Sequence, residues 1–295
     1  MKILITGVTG LLGEKIAERF SRHAAYHVCG IARRQHSELK NVHYTYGDLT
    51  DETLYGKLPS QIDICIHCAA SMPANEDFQG QRELVQTNIL GTLELVKFLS
   101  RNCAHTHFIH ASTIYVYKPN TGKEISEDSE LMPNTFYGLS KLYSEMLVIQ
   151  SGLKNVILRF SSFYDNEGRG RIHQPLLYDW IERAKRNQDL TIFGTGDEKR
   201  NYIHIEDSVN AIEKVLHRNV KGEYIIASDD MLTTYEIAKT IINQLNSKSR
   251  IIIDSNKNFY GPFREISVKK ASDDFGFKSS IELKHAVGQI ASYLK

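Results

Sequence analysis

The chain has 295 residues, of which 41% are hydrophobic and 24% are charged, and its 36 Lys and Arg residues nearly balance 35 Asp and Glu residues. This composition predicts a globular protein that buries its core without disulfides or metal, and a net charge of +1 argues against a nucleic-acid-binding protein. No stretch approaches the roughly 20 apolar residues of a membrane span, and MKILITG is too short for a signal peptide. We therefore expect a cytoplasmic protein without membrane contact.

In the first half of the chain, short β-branched runs alternate with amphipathic segments. The candidate strands are KILIT, YHVCGIA, VHYTY, DICIHCA, THFIHAS and NVILRF, and the candidate helices cover residues 11–22, 82–101 and 136–151. Such alternation is typical of βαβ units. It predicts an α/β fold with a doubly wound, Rossmann-type parallel sheet.

After about residue 160 the pattern is less regular. Candidate helices cover 173–187, 206–218, 233–246 and 281–293, and the candidate strands are LTIF, EYIIAS and RIIID. We expect residues 1–165 to form the sheet domain and residues 166–295 to form a smaller α/β lobe at the carboxyl edge of the sheet. The boundary is nominal, because we expect the two parts to interleave.

A glycine-rich loop follows the first strand directly. In GVTGLLG, Gly7 permits a tight turn, Gly10 lets the backbone approach a pyrophosphate, and Gly13 lets the next helix pack closely against the strand. The N-terminus of that helix then offers N–H groups to the anion. The strand–loop–helix context therefore predicts a dinucleotide-binding site.

Two arginines follow the second strand, where NAD-preferring enzymes carry an acidic residue for the ribose 2′-hydroxyl. Arg33 and Arg34 suit a 2′-phosphate, because guanidinium groups bind phosphate through charge-assisted hydrogen bonds. We therefore expect NADP(H) to be favoured over NAD(H).

A Tyr–Lys pair occurs in the segment TFYGLSKLYSEML. Tyr137 and Lys141 are four residues apart and share one face of a helix. A neighbouring ammonium group favours a phenolate and is expected to lower the pKa of Tyr137. Thr113 and Ser112 end the strand THFIHAS, at the edge where open parallel sheets bind ligands. The spacing predicts an acid/base tyrosine with a hydroxyl partner.

Taken together, these motifs resemble those of the extended short-chain dehydrogenases, the nucleotide-sugar epimerase, dehydratase and reductase group. GVTGLLG, GDLTD, IHCAA, TNILGT, HASTIYVY and YGLSK follow one another in the order of the family's motifs. The resemblance implies Thr113, Tyr137 and Lys141 as catalytic residues. Beyond Arg33, Ser112, Tyr137 and Lys141, the cofactor contacts that we expect are Gly7, Thr9, Gly10, Leu11, Leu12, Gly13, Asp48, Leu49, Ala69, Ala70 and Asn88.

The resemblance continues into the second half of the chain, with departures. IFGTGDEKRNYIHIED is similar to the segment that grips the sugar nucleotide, so Arg200 is expected at its diphosphate. Ser162 stands where the family usually has an Asn, and Asp165 where it has a Gly. Arg264 is expected at the position of a further substrate-binding arginine. We expect Thr113, Ser162, Arg200 and Arg264 to face the substrate, but the departures leave its class open.

The residues after Thr113 bear on the reaction. The family's sugar 4,6-dehydratases carry Asp-Glu there, whereas this chain has Ile114 and Tyr115, which predicts 4-epimerisation or keto-sugar reduction and not dehydration. Two other hypotheses remain: a reductase of a non-nucleotide carbonyl compound, and a non-catalytic NADP-binding regulator. The resemblance also implies a homodimer through a four-helix interface formed by residues 82–101 and 136–151.

The cysteines and histidines do not predict a metal site. Cys65 and Cys68 form a CxxC, but on a strand an odd spacing puts the two thiols on opposite faces. The same alternation separates His110 from His105 and His107. Packing in the core is the expected role of these side chains.

Overall fold

Runs of β-branched and aromatic residues form the strands. The computed structural model describes residues 1–36, 38–119, 123–218, 220–256 and 265–294. The strands within these ranges are β1 (Lys2–Thr6), β2 (His27–Ala32), β3 (Val42–Tyr46), β4 (Ile64–His67), β5 (His107–Thr113), β6 (Glu124–Ile125), β7 (Lys154–Phe160), β8 (Ser162–Tyr164), β9 (Leu190–Phe193), β10 (Lys199–His204), β11 (Gly222–Ile226), β12 (Met231–Thr233), β13 (Ile251–Asp254) and β14 (Glu265–Ile266).

The helices come from the amphipathic segments between these strands. They are α1 (Leu11–Phe20), α2 (Glu52–Tyr55), α3 (Phe78–Leu84), α4 (Gly91–Asn102), α5 (Phe136–Gln150), α6 (Pro175–Lys185), α7 (Ile205–Arg218), α8 (Thr234–Gln244), α9 (Lys269–Phe275) and α10 (Leu283–Tyr293). A π-helical turn, Val85–Leu90, lies between α3 and α4, and 3₁₀ turns cover Ile114–Val116 and Arg169–Ile172. The helix predicted over 82–101 is therefore interrupted, because one turn adopts π geometry.

The main sheet has the strand order β11-β7-β5-β4-β1-β2-β3, which makes seven strands in the described part of the chain. β1 pairs in parallel with β2 on one side and with β4 on the other, and the pairs β2–β3 and β4–β5 are also parallel. The chain thus leaves β1 in one direction and returns on its other side, which places a ligand crevice at the carboxyl end of β1. The predicted doubly wound α/β fold is confirmed.

One strand was assigned to the wrong part of the fold. The sequence analysis placed EYIIAS in the smaller lobe, whereas β11 forms the edge of the main sheet, after β7. The backbone N–H of Ser161 donates a hydrogen bond to the carbonyl oxygen of Ile226 (3.0 Å). Pairing between segments so far apart in the chain leaves no local pattern in the sequence.

Contacts divide the chain into two units. The first comprises Met1–Lys118, Glu130–Arg159 and Val215–Tyr224, and the second comprises Pro119–Ser129, Phe160–Lys214 and Ile225–Lys295. One core cluster of the first unit packs the sheet against its helices and includes Leu4, Leu95, Phe108 and Val148.

The second unit has its own core and its own small sheets. Its core is formed by apolar side chains of α6, α8 and α10, including Trp180, Ile241 and Val287. Its described strands form the sheets β12-β10-β8, β13-β9 and β14-β6. No helix in the described ranges of either unit is long and apolar enough to cross a membrane.

Candidate active site

The loop between β1 and α1 requires glycine for steric reasons. Gly7 has a φ of +66°, and a Cβ there would stand 2.7 Å from the backbone nitrogen of Ala69. A Cβ at Gly13 would stand only 2.2 Å from the Gly7 carbonyl oxygen. α1 begins at Leu11, directly after Gly10, which provides no side-chain cap. The first N–H groups of α1 therefore point towards whatever anion approaches this loop.

A cavity of about 490 Å³ lies at this loop. Several residues that were predicted to bind a cofactor line it: Gly7, Thr9, Gly10, Arg33, Asp48, Leu49, Ala69 and Ala70. The cavity is also lined by residues that the sequence did not indicate as contacts, namely Ile31, Ala32, Gln35, His36, Gly47, Cys68 and Thr87. The glycine loop and the N-terminus of α1, which no side chain caps, would suit the pyrophosphate of a dinucleotide.

Both arginines after β2 belong to this cavity. Arg33 and Arg34 are exposed and line it together with His36, whose ring packs edge-on against Tyr44 (4.7 Å between centroids). On the same cavity, the Asp48 carboxylate accepts hydrogen bonds from the backbone N–H (3.0 Å) and the hydroxyl (2.8 Å) of Thr50. The turn that carries Asp48 is thus fixed by its own side chain.

Other predicted cofactor residues do not line the cavity. Leu11 and Leu12 are buried in the first turn of α1. Asn88, in the π-helical turn, is 1% exposed. Its amide nitrogen donates to the Ser71 carbonyl (3.0 Å) and to Ser140 Oγ (2.9 Å), and its oxygen accepts from the Ser71 N–H (2.7 Å). Both amide hydrogens of Asn88 are therefore used within the protein, and the side chain ties α5 to the segment after β4.

Two groups cap the N-terminus of α5, which carries the Tyr–Lys pair. The Thr135 hydroxyl accepts from the Gly138 N–H (3.0 Å). The Glu76 carboxylate accepts from the N–H groups of Phe136 (3.0 Å) and Tyr137 (2.8 Å). Sequence reasoning missed Glu76, since it comes 60 residues earlier and no local pattern links it to α5. A carboxylate at this position also stabilises the positive end of the helix dipole.

Lys141 lies one turn after Tyr137 and is 2% exposed. Its Nζ lies 3.4 Å from Nε2 of His110, whose ring stacks on that of His67 (5.3 Å between centroids). Burial lowers the pKa of Lys141 to about 8, although the Glu145 carboxylate opposes this change. Burial also lowers the pKa of His67 to about 3 and holds that of His110 well below its usual value. Both imidazoles are therefore neutral, and the positive charge of this cluster is that of Lys141.

The expectation for the pKa of Tyr137 is wrong in this structure. Lys141 was expected to lower it, but burial raises it, and the neighbouring Tyr115 raises it further. Removing the phenol from water disfavours its anion. Tyr137 therefore holds its proton at neutral pH.

The two hydroxyl residues at the end of β5 differ in their contacts. The Ser112 hydroxyl donates to the Glu145 carboxylate, inside the first unit. Thr113 is 5% exposed, and its hydroxyl accepts from the Tyr115 N–H (3.3 Å), so the hydroxyl proton can be donated to another group. Ser112 is thus bonded inward through its single hydroxyl proton.

Of the predicted substrate residues, Ser162 and Arg200 belong to the second unit, and Thr113 belongs to the first. Ser162 lies on β8 and pairs with Tyr202 of β10, and Arg200 lies on β10, paired with Leu232. The buried Asp165 carboxylate accepts from the Tyr178 hydroxyl (2.5 Å) and the Gly170 N–H (2.9 Å). Asp165 therefore anchors the turn after β8. Arg264 lies outside the described residues.

Among the described residues, no group of three or more His, Cys, Asp or Glu side chains is arranged to hold a metal ion. Cys65 is fully buried, whereas Cys68 is half-buried and lines the cavity. Burial raises the pKa of Cys68 to about 12, so its thiol stays protonated.

Comparisons with known proteins agree with this arrangement. Residues 3–227 match the model of the NAD dependent epimerase/dehydratase family. The chain is 29% identical over 83% of its length to a trifunctional UDP-glucose 4,6-dehydratase/UDP-4-keto-6-deoxy-D-glucose 3,5-epimerase/UDP-4-keto-L-rhamnose-reductase of Arabidopsis thaliana. It spans only 39% of that protein.

Two further proteins match over nearly the whole of their length. A UDP-N-acetyl-alpha-D-glucosaminuronate decarboxylase of Bacillus cytotoxicus is 26% identical over 91% of this chain and 88% of its own. The crystal structure of UDP-glucuronic acid 4-epimerase from Bacillus cereus, in complex with UDP-glucuronic acid and NAD, superposes with a TM-score of 0.85 at 23% identity, covering 99% of this chain and 98% of that one. The chain therefore belongs to the NAD-dependent epimerase/dehydratase family, a group of enzymes of the extended short-chain dehydrogenase type.

Proposed function

We propose that this chain is an NAD(P)-dependent oxidoreductase or epimerase acting on a nucleotide-activated sugar, by keto-sugar reduction or 4-epimerisation. The observation that carries the proposal is the position of Tyr137 and the buried Lys141, one turn apart on α5. They lie in the same unit as the glycine-loop cavity. A protonated phenol beside a buried ammonium group is suited to proton transfer at a sugar oxygen.

Each residue has a defined part in this proposal. The dinucleotide supplies or receives hydride when bound. The backbone at Gly7 and Gly10 and the first turn of α1 would hold its pyrophosphate. Tyr137 Oη donates a proton to the reacting oxygen in reduction and takes it back in oxidation. Lys141 keeps a positive charge next to that oxygen, and the Thr113 hydroxyl orients it.

We place keto-sugar reduction ahead of 4-epimerisation because Arg33 and Arg34 line the cavity and suit NADPH, the cofactor that usually serves net reduction. An epimerase recycles its own bound cofactor and commonly holds NAD.

Dehydration is the activity that we do not propose. Removing water from a sugar requires an additional acid and base, and Thr113 is followed here by Ile114 and Tyr115. Ile114 is buried in a 3₁₀ turn and has no group that could transfer a proton.

We propose that the cofactor is NADP(H) in preference to NAD(H), because Arg33 and Arg34 line the cavity and are exposed. The test is calorimetric titration of NADPH and NADH into the wild type and into Arg33→Ser/Arg34→Ser. The double variant is expected to lose affinity for NADPH and to keep its affinity for NADH. Equal affinity of the wild type for both cofactors would exclude the preference.

We propose that Arg200 and Ser162 contact the diphosphate of the substrate. Arginine binds phosphate in a bidentate manner, so Arg200→Met is expected to raise KM for a sugar nucleotide by about tenfold or more, corresponding to roughly 1.4 kcal/mol. The affinity for the cofactor alone should not change. A variant whose KM equals that of the wild type would show that Arg200 does not contact the substrate.

We further propose a homodimer. On α5, the apolar side chains of Phe136, Leu139, Tyr143, Met146 and Ile149 are all between 47% and 52% exposed. They recur every three or four residues, so they form one stripe along the helix. α5 packs beside α4, where Leu93 is also exposed. An apolar stripe of this kind marks an interaction surface, and a second copy would cover it with the same two helices.

One experiment separates the proposal from its alternatives. The purified protein is incubated with NADPH or NAD and a panel of nucleotide sugars and their 4-keto derivatives, and the products are identified by mass spectrometry and NMR. Turnover of one nucleotide class supports the proposal, and the product distinguishes reduction from epimerisation. Turnover only of carbonyl compounds without a nucleotide would identify a different reductase, and cofactor binding without any turnover would indicate a regulator.

A further inference from the structure

A buried ion pair joins α5 to β7 within the first unit. The Arg159 and Glu145 side chains are only 4% and 1% exposed. Arg159 donates from Nη2 to Glu145 Oε2 (2.8 Å) and from Nε to Oε1 (3.1 Å). This two-pronged geometry restricts both side chains to one arrangement.

The pair also reaches two further elements. The remaining end of the guanidinium donates from Nη1 to the Tyr117 hydroxyl (2.7 Å), and the guanidinium lies over the Tyr117 ring (5.0 Å to the centroid). Glu145 accepts the hydroxyl proton of Ser112, the residue before Thr113. One ion pair therefore holds together α5, the end of β5, β7 and the turn after β5.

We infer that Glu145 and Arg159 are positioning residues, whose ion pair fixes the helix that bears Tyr137 and Lys141 against the strand that ends in Thr113. This inference rests on the proposed function, since it concerns the placement of the same three groups. Neither residue was indicated by the sequence motifs. The sequence does contain a signal for Glu145. It lies four residues after Lys141 and eight after Tyr137, so an acidic residue is expected on the same face of α5, which is buried.

A buried ion pair is weak evidence for a contribution to stability. Removing both charges and filling the space with apolar side chains is often neutral, because the desolvation penalty disappears with the charges. Removing one charge leaves the other buried without a partner, which is strongly unfavourable. Positioning and stability can therefore be separated in this protein by replacing both partners together.

Glu145 has a second effect, on the charge of Lys141. The groups that face Lys141 are His110 on β5, His67 on β4, Cys68 after β4, Glu145 on α5 and Tyr137 one turn before it. Burial lowers the pKa of Lys141, while the negative charge of Glu145 acts in the opposite direction. Without Glu145, Lys141 would lose its proton at a lower pH.

The test uses Glu145→Met/Arg159→Met in the full chain. The matched control is Glu18→Met/Arg22→Met, which removes an exposed ion pair between Glu18 on α1 and Arg22 just after it (2.5 Å). In the buried double variant, kcat is expected to fall about 100-fold, the loss that a misplacement of about 1 Å can cause. KM and cofactor Kd should stay within threefold. The control should match the wild type in all of these.

A second measurement does not depend on turnover. The titration of Lys141 Nζ is followed by ¹⁵N NMR in the wild type and in Glu145→Gln, which keeps an acceptor for Ser112 but removes the charge. The pKa of Lys141 should be lower in the variant. A wild type that turns over nothing would overturn the proposed function alone, because the NMR titration still decides the role of Glu145. A folded double variant with unchanged kcat, or an unchanged Lys141 titration in Glu145→Gln, would overturn the inference.

Discussion

Replacing Gly13 by alanine tests the packing of the glycine loop. The new Cβ would stand 2.2 Å from the Gly7 carbonyl oxygen, which is 1.2 Å short of the 3.4 Å where ordinary contact begins, and 3.1 Å from Val8 Cα. The nearby atoms belong to the backbone of the loop, so no flexible side chain can move aside. Either α1 or the loop must shift by about 1 Å.

The expected magnitude has two opposing parts. Overpacking a tight contact costs roughly 1–3 kcal/mol, whereas alanine in place of glycine inside a helix gains about 1 kcal/mol. Gly288 provides the matched control, because it also lies within a helix, α10, and a Cβ there would meet no atom within 4 Å. We expect Gly288→Ala to raise the free energy of unfolding by up to about 1 kcal/mol and Gly13→Ala to lower it.

The assay is urea denaturation of both variants, followed by calorimetric titration with the preferred cofactor. For Gly13→Ala, the displaced loop should weaken cofactor binding at least tenfold, or about 1.4 kcal/mol. Gly288→Ala should bind the cofactor as the wild type does. The reasoning would be refuted if Gly13→Ala were as stable as Gly288→Ala and bound the cofactor with unchanged affinity.

Three further predictions follow from the charges and surfaces. Because the pKa of Lys141 lies near 8, kcat should decline as pH rises through that value and Lys141 loses its charge, as a pH–rate profile would show; a flat profile up to pH 10 would contradict this role. Burial lowers the pKa of His67 to about 3 and that of His107 to about 4. Below pH 6.5 the unfolded chain therefore binds protons that the folded chain does not. The free energy of unfolding should fall as the pH falls, and each unit of pKa difference is worth about 1.4 kcal/mol. Urea denaturation at pH 7 and pH 5 measures this loss, and equal stability at the two values would refute it. Leu139→Lys/Met146→Lys should convert a dimer into folded monomers, as light scattering and circular dichroism would show, whereas a wild type that is already monomeric would rule out the interface.

The sequence predicted the sheet well because most of its strands are short, buried β-branched runs bounded by turn residues. β1 is buried from Ile3 to Thr6, and such runs are readable without knowing what they pair with. β10 was not predicted, because Lys199–Asn201 is polar. This segment pairs with β12, which begins 30 positions after Asn201, so no local pattern marks it as a strand.

The candidate site was predictable only where a motif fixes the backbone. The glycine loop and the Tyr–Lys pair follow from local spacing, and both lie where the spacing implies. The contacts of Asn88, Ser112 and Glu76 join elements that are far apart in the chain. Those contacts also determine which polar atoms have hydrogen-bond partners within the protein. A sequence motif does not show this.

The central claim is that Tyr137 transfers a proton during hydride chemistry on a nucleotide sugar. The most direct measurement compares the wild type with Tyr137→Phe in single-turnover reactions with labelled NADPH and with the nucleotide-sugar class that the wild type accepts. The account predicts that the variant binds the cofactor normally but turns over at least about 100-fold more slowly, the usual contribution of an acid/base group. A Tyr137→Phe variant as fast as the wild type, or a wild type that binds the cofactor but turns over no nucleotide sugar, would contradict it.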